Sequence, residues 1–109
     1  MSRVSTIREE PRTYELGEEN QPELQPGLMR VYMQDGTICA VNFLCPCCSK
    51  AQCYTEVCLN AKDKKQHVWV FSRGANGPTI APSVRYLSGC KAHFTLTDGK
   101  VIFHEDCGR

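Results

Sequence analysis

Two cysteine-rich elements set far apart constrain this chain more than anything else in it. The first is Cys45-Pro46-Cys47-Cys48, and the second is Cys90-Lys91-Ala92-His93. Thiolates two or three residues apart on a tight turn can point at one centre. A C-x-x-H element elsewhere in the chain can complete a four-ligand cage of sulfur and nitrogen, which is how structural zinc sites are built. The metal ligands therefore come from Cys45, Cys47, Cys48, Cys90 and His93. Cys45 with Cys48 has the C-x-x-C spacing of zinc knuckles, and Cys45 with Cys47 the shorter C-x-C spacing. Both pairings stay open on spacing.

Eight cysteines in 109 residues need a reason. An even count would permit a disulfide framework in a secreted protein. The N-terminus, Met1-Ser2-Arg3-Val4-Ser5-Thr6, has no apolar stretch of the secretory kind. No run of about twenty apolar residues suggests a membrane span. The expected compartment is the cytoplasm, where thiols stay reduced, so metal ligation is favoured over disulfides. One zinc ion is expected. A second cage from Cys53, Cys58, His104 and Cys107 is disfavoured by its loose spacing. An iron–sulfur centre of mixed ligation would want a second histidine where Cys47 stands.

A chain this long argues for one domain. Its organisation is uneven. Residues 1–27 carry Arg3, Arg8 and Arg12 against Glu9, Glu10, Glu15, Glu18, Glu19 and Glu23, with three prolines and few large apolar residues. This reads as an acidic, flexible tail, too polar to offset its ordering entropy. Residues 28–109 read as the zinc-binding domain.

Within that domain the pattern is short β-like runs. Asp35-Gly36 separates Met29–Gln34 from Thr37–Leu44, and Asp98-Gly99 separates Phe94–Thr97 from Lys100–His104. An Asp-Gly pair between apolar runs signals a hairpin, because both residues tolerate positive φ. Further strands are expected over Cys53–Asn60 and His67–Ser72. The segment Thr79–Tyr86 is extended, and Pro78 and Pro82 place it at a sheet edge or in a crossover. The fold class is all-β: small, mostly antiparallel hairpins around a zinc site.

The chemistry-bearing residues point away from catalysis. Four strong ligands leave a zinc no open position for water. The H-E-x-x-H, H-x-E…P-C-x-x-C and Gly-rich phosphate motifs are missing. Ser83 and Thr79 have no assignable base in the sequence and read as turn hydroxyls. One cysteine of the pair Cys47 and Cys48 is left over, so a redox or metal-dependent enzyme is an alternative. Nucleic-acid binding through Lys62, Lys64, Lys65, Trp69 and Tyr86 is a further alternative. It is disfavoured by a net charge of only +1.

From Phe43 to Phe103 the chain resembles a family of small uncharacterised bacterial and phage proteins with a zinc-binding pattern. The shared pieces are Cys45-Pro46-Cys47, Trp69, Pro78-Thr79-Ile80-Ala81-Pro82-Ser83, Gly89-Cys90-Lys91-Ala92-His93-Phe94 and the closing hairpin Gly99 to Phe103. The family's turn runs C-P-C-G-C-G, whereas this chain has Cys48-Ser49-Lys50 after Cys47. The directly matching positions, Cys45 and Cys47, are the ligands the resemblance implies. It also implies a zinc-bound β-rich domain, encoded near bacterial ubiquitin-like conjugation components. The resulting expectation is a non-enzymatic binding or adaptor protein, phage- or bacterially encoded, with a protein partner, no membrane and no nucleic acid.

Overall fold

Turn chemistry sets the layout. The computed structural model describes residues 3–48, 54–58, 69–86 and 90–107. The strands among them are β1 (Arg8–Glu9), β2 (Tyr14–Glu15), β3 (Leu28–Gln34), β4 (Thr37–Leu44), β5 (Tyr54–Cys58), β6 (Val70–Arg73), β7 (Pro78–Arg85), β8 (His93–Thr97) and β9 (Lys100–Phe103). The described residues contain no helix, so the all-β expectation holds. Asp35 and Gly36 adopt φ of 52° and 77°, and Asp98 and Gly99 adopt 50° and 81°. Positive φ at both central residues twists a two-residue loop the same way as its strands. The β3–β4 and β8–β9 hairpins form where the two Asp-Gly pairs predict them.

The strands make two sheets. One runs β1-β3-β4-β5, with β2 also paired to β3, and the other runs β6-β7-β8-β9. The sheets share one core. Met29, Val31, Val41 and Phe43 come from the first, and Ile80, Val84, Phe94, Leu96 and Val101 from the second. Phe43 and Phe94 meet edge to face, ring centroids 6.1 Å apart. Burying each such large apolar side chain is worth about 1.5–3 kcal/mol. In the second hairpin Phe94 lies opposite Phe103 and Leu96 opposite Val101, as alternation requires.

Two expectations meet a different arrangement. The segment carrying Pro78 and Pro82 is not an edge: β7 lies between β6 and β8. Pro78 is the first residue of its strand. Pro82 falls where the β7–β8 register slips, between Ile80 and Val84. Both are positions where a missing N–H costs no ladder bond. The N-terminal stretch, read from composition as a loose tail, packs against the body. Ile7 is buried in the shared core. Its N–H donates to Gly99 O at 2.8 Å, and Val101 N–H donates to Ser5 O at 2.9 Å. Residues 5–7 thus run along β9, while β1 and β2 pair in parallel with the two ends of β3. Arg30 is 3% exposed and meets Glu10 at 2.6 Å. Average composition misses this because a few backbone bonds to sheet edges, one isoleucine and one buried ion pair suffice to anchor a polar segment.

Candidate active site and thiol cluster

The register slip in β7 positions the first functional side chain. Strand β7 pairs with β8 at Ile80↔Leu96 and resumes at Val84↔Phe94. Ala81, Pro82 and Ser83 therefore stand opposite Thr95 alone. Extra residues of this kind bend a strand and re-aim its side chains. His93 opens β8, across from Arg85. Ser83 Oγ lies 3.3 Å from His93 Nε2. On the other side of the ring, His93 Nδ1 lies 2.6 Å from Asp106 Oδ1. Asp106 sits in the turn that follows β9.

The three groups form a connected relay. A carboxylate cannot donate, so Nδ1–H donates to Asp106 and Nε2 is left to accept the Ser83 hydroxyl proton. The hydrogen bond from His93 holds the Asp106 carboxyl below its ordinary range, and the nearby Arg85 guanidinium acts the same way. Arg85 Nη2 stands 3.6 Å from Asp106 Oδ2. The imidazole is pinned further. His93 N–H donates to Cys107 Sγ at 3.3 Å, and His93 O accepts from His104 N–H at 2.9 Å. The His93 side chain is 18% exposed, so one edge of the ring faces solvent. A nucleophile, a base and a base-orienting carboxylate in hydrogen-bond reach are the parts of a serine acyl-transfer centre.

The thiols gather on the adjoining side. Cys45 directly follows β4, and Pro46 to Cys48 form the turn beyond it. The Sγ atoms of Cys45, Cys48 and Cys90 all lie within 4.8 Å of one another. Cys45 and Cys90 are 3.4 Å apart, and neither is in a disulfide. Burial pushes the Cys45 thiol up to about 11, although the backbone N–H groups of Cys48 and Cys47 both point at its sulfur and pull the other way. One buried and two half-buried thiols, with amides aimed at the buried sulfur, suit a soft divalent cation. Cys47 is outside this group and lies beside Cys107; burial first, and then the Cys107 thiol, push its own thiol up.

Of the expected ligands, then, the structure brings Cys45, Cys48 and Cys90 together. Cys47 stands against Cys107, and His93 spends both ring nitrogens on Ser83 and Asp106. Cys53, Lys62, Lys64 and Lys65 lie outside the described residues, as does the Cys58 side chain. His104 stacks on His93 and contacts Thr95. Thr79 Oγ1 accepts the Asp98 N–H at 2.8 Å.

Over residues 16–104 the chain matches the family described as bacterial ubiquitination-like system serine protease (BubE). The chain belongs to that family. The match takes in Ser83, His93 and the thiols of both cysteine elements, and ends two residues before Asp106. No curated protein and no solved structure matches the chain. Ser83 is the residue that sequence reasoning passed over. Ser83 and His93 are ten residues apart with no motif joining them, and only the slipped pairing of β7 with β8 makes them neighbours. The available signal was a serine and a histidine at facing ends of two consecutive strands.

Proposed function

We propose that this chain is a serine hydrolase that cuts an acyl bond, peptide or isopeptide, of a protein in a bacterial ubiquitination-like system. The observation that carries the reading is the unbroken contact line from Ser83 Oγ through both nitrogens of His93 to Asp106. The family's description as a serine protease supports it independently. An adaptor, which the resemblance implied, would have no use for a serine, an imidazole and a carboxylate held in line.

In this reading Ser83 Oγ attacks the carbonyl carbon of the scissile bond, and its proton passes to His93 Nε2. Asp106 stays ionised and stabilises the imidazolium through Nδ1–H. His93 then gives the proton to the leaving amine, and an acyl group remains on Ser83. Water, deprotonated by the same nitrogen, releases it. Holding base and nucleophile in contact before substrate arrives removes an entropic part of the barrier.

Cys45, Cys48 and Cys90 would hold one zinc ion in the same reading. The ion would act as a cross-link between the turn after β4 and the loop before β8. An all-thiolate donor set is characteristic of structural zinc, and a fourth ligand would close the tetrahedron.

A fluorophosphonate probe tests the hydrolase reading. Covalent labelling of the intact protein is expected at Ser83, located by peptide mass spectrometry, and lost in Ser83→Ala and His93→Ala. A well-folded protein that resists the probe, or is labelled elsewhere, would refute it.

A further inference from the structure

Cys107 falls outside the three-thiol group, yet it touches the triad. It directly follows Asp106 in the turn after β9. Its sulfur is buried and accepts the His93 backbone N–H at 3.3 Å. Cys47, on the turn after β4, lies beside the same thiol, which helps burial hold its own thiol above the ordinary range. Cys107 thus stands where three pieces of chain meet: the strand start that carries the base, to which its sulfur is bonded, the turn that carries the orienting carboxylate, and the cysteine turn.

The geometry of Asp106 shows why such a link matters. The Asp106 side chain is 42% exposed, and its charged partners are His93 and, at a longer 3.6 Å, Arg85, itself exposed. A carboxylate on a short surface turn gains little from a loose surface ion pair. It needs its backbone held if it is to stay under Nδ1. The turn has one internal backbone bond, Cys107 N–H to His104 O at 3.0 Å. Beyond the Asp106 side chain itself, it is tied to the His93 main chain on both sides, by His104 N–H to His93 O at 2.9 Å and by the Cys107 sulfur.

We propose that Cys107 is a positioning residue of the triad, and that Cys47 is its anchor. The thiol fixes the Asp106 turn to the His93 main chain, so the carboxylate and imidazole keep their contact through the proton transfers. The sulfur touches no substrate and takes no proton from the reacting groups. This rests on the hydrolase reading of Ser83, His93 and Asp106. It divides the cysteines by role: Cys45, Cys48 and Cys90 toward a metal, Cys47 and Cys107 toward the triad.

The test compares Cys107→Ala, Cys107→Ser and Cys47→Ala with the unaltered chain by three readouts. These are the rate of fluorophosphonate labelling, the proton NMR signal of His93 Nδ1–H, and zinc bound per chain. Displacements of about 1 Å near reacting groups can cost about a hundredfold. For Cys107→Ala we expect labelling slowed about tenfold or more and the Nδ1–H signal shifted or broadened, with zinc content unchanged. Cys107→Ser, which keeps an acceptor, should recover most of both. Cys47→Ala should weaken both in the same direction, and it decides the matter if Cys107→Ala fails to fold. Unchanged labelling and unchanged Nδ1–H in these variants would overturn the assignment. So would loss of zinc from either alanine variant, which would make that thiol a ligand. If Ser83 of the unaltered chain resists the probe, the hydrolase reading fails, while the Nδ1–H signal still decides whether Cys107 positions Asp106.

Discussion

His104 stacks face to face on His93, with ring centroids 4.1 Å apart and planes within 9° of parallel. The His104 ring is itself held by Thr95, Oγ1 to Nε2 at 2.7 Å. The stack covers one face of the triad imidazole and limits its rotation. Aromatic pairs of this kind are worth about 0.5–1.5 kcal/mol beyond burial. His104→Ala should therefore slow probe labelling of Ser83 by about two- to tenfold, and His104→Phe should keep most of the rate. Equal rates in all three proteins would leave the stack without a part in positioning His93.

In the hydrolase reading, Asp106 orients the base and keeps one tautomer dominant. Asp106→Asn preserves shape but presents an amide, which favours the wrong tautomer. In serine proteases of this logic that change costs on the order of 10⁴-fold. The partly exposed carboxylate here should show a smaller loss, on the order of 10²-fold or more, read as labelling rate at neutral pH.

The pH dependence of stability follows from two depressed carboxyls. Asp106 is lowered first by its hydrogen bond with His93, and Asp98 first by the Asn76 side chain and then by the Asn76 N–H. Each folded-state pKa lies below the unfolded value of about 3.9. Their contribution is therefore present above about pH 4 and is lost as pH falls through the depressed folded values. Melting temperature should hold steady above that pH and decline below it. Asp98→Asn and Asp106→Asn should each make the acid decline shallower.

Metal removal should destabilise the whole body. Structural zinc contributes on the order of 10 kcal/mol to small domains. Chelation, or replacement of Cys45, Cys48 or Cys90 by alanine, should lower the melting temperature sharply. Cys39→Ser should be mild, because Cys39 lies outside the three-thiol group and a serine hydroxyl can take over its long 3.6 Å bond to Tyr32 O. Elemental analysis should find one zinc per chain. A folded protein without metal would rule out the cage.

The buried pair of Arg30 and Glu10 anchors the N-terminal segment. Glu10→Ala leaves a guanidinium buried without its carboxylate, which costs about 3–5 kcal/mol. Replacing both partners by apolar residues, Arg30→Met with Glu10→Leu, should restore most of the loss. Denaturant titration of the single and double variants measures the difference.

How far the chain could be read from its residues depends on how local each feature is. The Asp35-Gly36 and Asp98-Gly99 hairpins were legible because the turn conformation belongs to the two residues themselves and the strand faces follow by alternation. The nearness of the Cys45 turn to Cys90 was legible too, since buried sulfurs outside disulfides favour a shared ligand. Three things were decided only in three dimensions. A slip of pairing within β7 turned Ser83 toward His93, and slips leave no mark in composition. The C-x-x-H spacing serves a metal and a catalytic base equally well, and the ring went to Asp106 because the turn after β9 folds back beside it. The N-terminal stretch found its place on free sheet edges, where backbone amides and carbonyls, identical in every residue but proline, supply the attraction.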